Sequence, residues 1–233
     1  MLSKRANCIV LLSGGMDSLT AMVVAMREGK RPWALTFSYG QRNVVEVQAA
    51  RTLGNIYAVV GHSVVGIDMR SFGSNALTGT GELPTGRSIS DIQRSIPSTY
   101  VPARNTIFLA YAIGWAEVMG VSEIVVGFNC DDAAGYPDCR PQYLEAFEQM
   151  ANLATKRAVE GKHRVVITSP FINYSKQDIV RIGLELGVDY SRAVSCYSPS
   201  MQGAACGACD ACVIRLDAFK RNAAVDPAIY TKD

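Results

Sequence analysis

Six residues near the start of the chain combine the groups that phosphate chemistry needs. Ser13-Gly14-Gly15-Met16-Asp17-Ser18 carries two hydroxyls, one carboxylate and two glycines. Cys8 to Leu12, just before it, is apolar without alternation, as in a strand buried on both faces of a parallel sheet. After Asp17, apolar residues fall at Leu19, Met22, Val23 and Met26, which is helical spacing. The stretch therefore reads as strand, tight loop, helix. Its glycines permit positive φ and close approach of backbone N–H groups to a ligand. The helix aims its positive end at the same place, which favours phosphate. Ser13 and Ser18 add hydroxyl donors, and Asp17 can hold a magnesium ion that bridges phosphates.

A second constellation lies near the C-terminus. Four of the seven cysteines, Cys196, Cys206, Cys209 and Cys212, crowd into seventeen residues. Two-residue gaps let successive thiolates turn onto one ion, and four thiolates fill the tetrahedral shell of a structural zinc. An iron–sulfur cluster, a redox Cys-x-x-Cys pair and unliganded buried thiols are the competing readings. The first lacks the following Cys-Pro, and the second leaves two thiols unused. Cys8 reads as core, and Cys130 and Cys139 as loop thiols.

These groups must be held by a scaffold. The chain has 233 residues, 48% of them hydrophobic, and a net charge of +2. That is enough for one core with a small appendage and too mild a charge to argue for nucleic acid. The apolar run near the N-terminus is only five residues long, too short for a signal peptide or membrane span, so a cytoplasmic protein is expected. Residues 1–6 read as a short tail. Further strands are expected at Trp33–Ser38, His62–Ile67, Glu123–Gly127 and Arg164–Thr168. Helices are expected from Val45 to Val60, over Thr106–Met119, and from Pro141 to about Glu160. Another runs from the capping box Ser175-Lys176-Gln177-Asp178 to Leu186, stopping at Gly187. The helix at Thr106–Met119 is apolar nearly all round and is expected to be buried on most faces. Residues 68–101 keep no period and read as a lid, a binding loop or a disordered segment. Strands alternating with helices mean a parallel sheet, whose ligand sits beyond the strands' carboxyl ends. That edge should gather Ser13–Ser18, Tyr39–Gln41, residues 68–105 and Phe128–Arg140. The expected division is a phosphate-loop α/β domain over 1–190 and a zinc-binding segment over 191–233 packed on it.

The loop lacks the Gly-Lys-Ser/Thr ending of the Walker motif and the Gly-x-Gly-x-x-Gly dinucleotide fingerprint. It resembles the pyrophosphate loop of the ATP pyrophosphatases, which adenylate a substrate. Tyr39-Gly40-Gln41, Pro102-Ala103-Arg104-Asn105, Gly135-Tyr136-Pro137-Asp138-Cys139-Arg140 and the four cysteines follow in one order. Together they resemble the 7-cyano-7-deazaguanine synthase family of queuosine biosynthesis over essentially the whole chain. Met16 in the free loop position and Phe128-Asn129-Cys130 depart slightly from the family's usual pattern.

The resemblance implies a Rossmann-like α/β fold of the adenine-nucleotide hydrolase type, with a parallel five-stranded sheet in the order 3-2-1-4-5. It implies an ATP-dependent ligase that joins ammonia to 7-carboxy-7-deazaguanine and yields the nitrile. It also implies ATP, Mg2+ and Zn2+ as cofactors, a homodimer, and no direct contact with nucleic acid. The stretch assigned to ATP is Leu12, Ser13, Gly14, Gly15, Met16, Asp17, Ser18, Leu19, Thr20, Ala21 and Met22. Asp17, Ser18, Arg104 and Lys176 are the catalytic candidates, Arg104 being suited to a two-pronged contact. Asp131, Asp132 and Asp138 are candidates to accept from the N–H edge of a guanine-like base, and which of them does so stays open. Tyr136 can stack on the ring. Tyr39, Gln41, Asn105 and Asn129 complete the substrate set. For the charged candidates the alternative is a solvated surface. Two other functions compete: a tRNA-thiolating enzyme of the same superfamily, and a zinc-knuckle nucleic-acid-binding module.

Overall fold

The computed structural model describes residues 6–73, 75–92 and 96–231. The expected tail thus lies, apart from Ala6, outside the described residues. Five strands form one parallel sheet: β1 (Asn7–Leu11), β2 (Arg31–Ser38), β3 (Gly61–Gly66), β4 (Glu123–Val125) and β5 (Val166–Thr168). Their order is β3-β2-β1-β4-β5, as expected. β1 pairs with β2 on one side and β4 on the other. It is therefore the switch point beyond whose carboxyl end a ligand crevice opens.

The unalternating apolar run of β1 has a physical reason. Cys8, Val10 and Leu12 enter one core cluster and Ile9 enters the other, on opposite faces of the sheet. Helices cover both faces: α1 (Met16–Arg27), α2 (Val45–Ile56), α3 (Ile89–Ile92), α4 (Arg104–Met119), α5 (Cys130–Gly135), α6 (Pro141–Ala154), α7 (Lys156–Val159), α8 (Lys176–Glu185) and α9 (Asp210–Arg221). Leu19 and Met22 of α1, Leu53 of α2, Ile179 of α8 and Phe219 of α9 share the first cluster. Leu109 of α4 and Phe147 of α6 share the second. Burying each such side chain contributes about 1.5–3 kcal/mol.

Several expectations are corrected. The helix expected from Pro141 to Glu160 breaks at Thr155, which is extended (φ −101°, ψ 136°) and returns its hydroxyl to the Ala151 carbonyl at 2.9 Å. The helix expected to reach Val60 stops at Ile56. Phe128–Arg140 is not all loop: Asn129 caps α5, accepting from the Asp132 N–H. The described residues of 68–101 are packed rather than loose, with Met69, Ala76, Leu77 and Val101 buried; residues 74 and 93–95 of that expected segment lie outside the described residues. α4 is covered on most faces, as expected, but keeps one bare stripe at Ala110, Tyr111, Gly114 and Val118, with Val118 84% and Tyr111 44% exposed. α9 was not expected at all. The capping box at Ser175 and Asp178 is present, both reciprocal hydrogen bonds included.

A buried ion pair closes the C-terminal segment on itself. Arg215 on α9 meets Asp226, each side chain 3% exposed. Arg215 also donates to the Ala193 and Tyr190 carbonyls at 2.6 and 3.1 Å. Tyr230 donates its hydroxyl to Asp226 at 2.6 Å.

Candidate active site

The loop after β1 is tight because Gly14 turns left-handed, with φ +92°. A Cβ there would sit 2.3 Å from the Glu46 carbonyl oxygen. Gly15 is different: its φ is −84° and it is the N-cap of α1. Only one of the two glycines is therefore needed for the turn. Ser13 and Ser18 hydroxyls lie 3.0 Å apart, and Ser18 donates to the Gly15 carbonyl at 3.1 Å. The Gly14 carbonyl accepts from Val194 N at 2.9 Å. A glycine at the end of β4 completes the arrangement, since a Cβ on Gly127 would lie 2.8 Å from the Asp17 carbonyl carbon.

Asp17 and Lys176 form an ion pair across the mouth of this loop. One Asp17 oxygen takes the lysine, while the other, Oδ1, is buried without a partner. Burial alone would push Lys176 towards neutrality, but the charges of Asp17 and Asp132 outweigh it and hold the ammonium protonated. Lys176 opens α8, and its N–H donates to Asp131 Oδ2 at 2.8 Å. Asn129 donates to Asp132 at 2.7 Å. Burial raises the Asp132 carboxyl pKa, against the pull of Lys176.

Across the crevice, Arg104 donates to the Tyr39 hydroxyl at 3.3 Å. Its guanidinium lies 5.7 and 5.9 Å from the Tyr39 and Tyr136 ring centres, within cation–π range. Ala103, just before it, is left-handed at φ 54°. Gln41 accepts from Tyr39 N at 2.7 Å and so shapes the turn after β2. Asn105 donates to the Cys139 sulfur at 3.1 Å.

Most of these groups, though not Gly14, Ala103 or Asn129, open on one cavity of about 530 Å³, a size common for ligand sites. Among the sequence candidates, Leu12, Ser13, Gly15, Met16, Asp17, Ser18, Tyr39, Gln41, Arg104, Asn105, Asp131, Asp132, Tyr136 and Lys176 line it. Leu19, Thr20, Ala21 and Met22 do not; they are buried along α1, and Thr20 bonds the Tyr190 hydroxyl at 2.8 Å. Asn129 is fully buried and works as a cap. Asp138 also faces away from the cavity, accepting from Asn105 N at the start of α4 at 2.9 Å.

The four cysteines meet. Their sulfurs all lie within 4.8 Å of one another, close to the ~3.8 Å edge of a tetrahedron built on ~2.3 Å zinc–sulfur bonds. Backbone N–H groups of Ser198, Cys206 and Cys209 point at the sulfurs, at 3.3, 3.3 and 3.4 Å, as suits thiolate ligands. The donor set fits a structural zinc ion. Cys8 and Cys139 are buried away from the cluster and Cys130 is exposed.

Sequence reasoning missed how the cluster reaches the cavity. Asn43 donates to the Cys196 carbonyl at 2.9 Å while its Oδ1 accepts from Glu46 N at 3.3 Å. On the other side, Thr85 bridges to Cys209 and Gly86 N donates to the Ala208 carbonyl at 3.0 Å. Arg87 pairs two-pronged with Asp210, its Nε at 3.0 Å. The segment anchored this way supplies Ile89, Ile92, Pro97 and Thr99 to the cavity wall. Asn43, Glu46 and Tyr197 also line the cavity. The first two were within reach of the sequence, because a helix starting at Val45 presents its first turn to the same sheet edge.

A family model described as "Queuosine biosynthesis protein QueC" matches residues 7–223. Three relatives named 7-cyano-7-deazaguanine synthase cover nearly the whole chain. The one from Desulfatibacillum aliphaticivorans is 48% identical over 227 residues, 97% of each chain. That from Syntrophotalea carbinolica is 49% identical over 232 residues, 100% of this chain and 99% of its own. That from Paramagnetospirillum magneticum is 51% identical over 222 residues, 95% of this chain and 97% of its own. With matches of that extent and a cavity built from the motifs themselves, the chain belongs to the QueC family of queuosine biosynthesis proteins.

Proposed function

We propose that the protein is a carbon–nitrogen ligase that converts 7-carboxy-7-deazaguanine and ammonia to 7-cyano-7-deazaguanine at the expense of ATP. The observation that carries this reading is convergence on one cavity, in a chain of this family. The Ser13–Ser18 loop, Lys176, Arg104, Tyr136 and the carboxylates of Asp131 and Asp132 all face it.

A carboxylate is a poor electrophile, since oxide would have to leave. Transfer of AMP gives it a good leaving group; ammonia then displaces AMP and forms the amide. Adenylation of the amide oxygen next lets the elements of water be lost, leaving the nitrile. The protein supplies position and charge rather than a covalent nucleophile. The loop N–H groups and the hydroxyls of Ser13 and Ser18 hold the phosphates. Lys176 and Arg104 meet the phosphate and carboxylate charge. Tyr136 stacks on the ring, and Asp131 or Asp132 accepts from its N–H edge, while Tyr39, Gln41 and Asn105 shape the pocket. The unpartnered Asp17 Oδ1 suits magnesium, which when bound neutralises phosphate charge. Cys196, Cys206, Cys209 and Cys212 hold zinc in a structural role, so residues 191–233 serve as a metal-binding segment on an ATP-binding domain of residues 1–190.

The exposed apolar stripe of α4 (Tyr111, Gly114 and Val118) supports a homodimer. Among the described residues no helix is long and apolar enough to cross a membrane. We place the enzyme in the cytoplasm, acting on the free base without contact to nucleic acid.

The test is incubation with ATP, ammonium and 7-carboxy-7-deazaguanine, followed by mass spectrometry and metal analysis. Nitrile and AMP should form, with zinc at one ion per chain, and Asp17→Ala should abolish turnover without unfolding. No nitrile from zinc-loaded, folded protein would refute the reading.

A further inference from the structure

Six carboxylates line the cavity: Asp17, Glu46, Asp131, Asp132, Asp210 and Asp217. Five of them are already engaged. Asp17 is held by Lys176, Asp131 by the Lys176 N–H and Asp132 by Asn129. Asp210 is held by Arg87, and Asp217 by Arg221 at 2.6 Å. Of these six, and among the described residues, Glu46 alone has a carboxylate that takes no hydrogen bond and no ion pair.

Its position is fixed nonetheless. Glu46 lies in the first turn of α2, with its N–H on Asn43 and its carbonyl packed against Gly14 of the phosphate loop. The charged or titratable groups that face it are the Arg104 guanidinium from α4 and the Tyr39 phenol from the turn after β2. Burial raises the Tyr39 phenol above its usual range, so it faces Glu46 as a neutral group.

The reaction needs a free base at such a place. When ammonia attacks the acyl-adenylate, the C–N bond forms and the C–O bond to AMP breaks, its electron pair leaving on the phosphate oxygen. The nitrogen is then cationic and must shed one proton before the amide is complete. A carboxylate already tied to Lys or Arg is a weak acceptor, and an untied one beside the loop is a good one. We propose that Glu46 is the proton acceptor for the incoming amine. This rests on the function proposed above. Burial supports it: Arg104 draws the Glu46 carboxyl pKa down, but desolvation is the larger effect and pushes it up to about 7. That is close to the value at which a general base works best near neutral pH.

The experiment compares wild type with Glu46→Gln in three readouts. The first is pyrophosphate exchange into ATP dependent on the acid substrate, which stops before the amine. The second is amide formation from ammonium. The third is hydroxamate formation from hydroxylamine, whose cationic adduct is more acidic and gives its proton to water unaided. Glu46→Gln should keep exchange within about threefold. Ammonia-dependent amide formation should fall roughly 10²–10³-fold, with hydroxamate formation lowered by less than about tenfold. The wild-type pH profile of kcat/KM for ammonia should rise through a pKa near 7 that the variant lacks. Amide formation at wild-type rate would overturn the assignment. So would exchange or hydroxamate formation falling as far as amide formation, since either would make Glu46 structural or part of activation. Wild-type protein without acid-dependent exchange would overturn the activity itself, and this assignment with it.

Discussion

Replacing Gly14 with alanine tests the reasoning about the phosphate loop. The residue sits at φ +92°, and the added methyl would stand 2.3 Å from the Glu46 carbonyl oxygen and 3.0 Å from Ala50 N. Both contacts are backbone, so no side chain can rotate away. Restoring an ordinary 3.4 Å contact requires loop and helix to separate by about 1.1 Å, the difference between those two distances. The positive φ costs an alanine about 1–2 kcal/mol, and relief of the overlap about 1–3 kcal/mol more. A total of about 2–5 kcal/mol would lower Tm by roughly 4–20 °C in a chain of this size. Displacing the loop by about 1 Å should also lower kcat/KM for ATP about 10²-fold. Gly15→Ala is the control. Its φ is −84°, and its nearest neighbour would be the rotatable Ser13 hydroxyl at 3.3 Å, so Tm should fall by less than about 4 °C. Differential scanning calorimetry of both variants decides. Equal melting temperatures for Gly14→Ala and Gly15→Ala would refute the claim that the loop turns on Gly14.

Asp226→Asn should destabilise the chain by about 3–5 kcal/mol in urea titrations, because it strands the buried Arg215 charge. Burial favours the neutral acid, but hydrogen bonds from Arg215 and Tyr230 win and hold the Asp226 carboxyl below its usual range. Its contribution is therefore complete above the unfolded carboxyl's pKa of about 3.9. It is lost as pH falls through the lower folded value, and the variant should lack that acid-side loss. Arg87→Ala should raise KM for the acid substrate about tenfold while the loop and its ATP contacts stay, a loss of ~1.4 kcal/mol, within the worth of a charged hydrogen bond. Steady-state kinetics reads this directly. Val118→Glu should shift sedimentation from dimer to monomer without lowering Tm, as expected for a side chain 84% exposed in the single chain.

What was legible in the sequence was local. Cys8–Leu12, the loop and the spacing of α1 lie within twenty residues, and each element announces itself by period or composition. The order of the sheet came from the resemblance, and the alternation of strands and helices is consistent with it. The capping box reads directly because its two partners are three residues apart. The cysteine cluster reads because metal chemistry fixes the spacing. α9 was hidden by that same cluster, since its first turn contains Cys212 and its buried face is closed by Arg215, a polar residue where periodicity looks for an apolar one. The break at Thr155 had no glycine or proline to mark it. The role of Gly127 depends on a contact with Asp17 over a hundred residues away in the chain, and no window reveals that. Glu46 was overlooked because a lone glutamate in a helix's first turn is a common solvated residue; only the cavity sets it apart.

The cysteine cluster and the cavity are parts of one structure, although the sequence places the cysteines far from the phosphate loop. Three backbone contacts make the connection. Val194 N holds the Gly14 carbonyl, the Cys196 carbonyl holds Asn43, and Cys209 bridges Thr85. Each anchors a different wall: the loop, the first turn of α2, and the segment bearing Ile89 and Ile92. A stretch of this length, with few large apolar side chains, buries too little surface to fix three walls by itself. Four thiolates on one ion would order it by many kcal/mol. An ion held by these thiolates would thus be a condition for a shaped cavity, and its loss should loosen the walls before the sheet, most of whose two core clusters lies outside the segment.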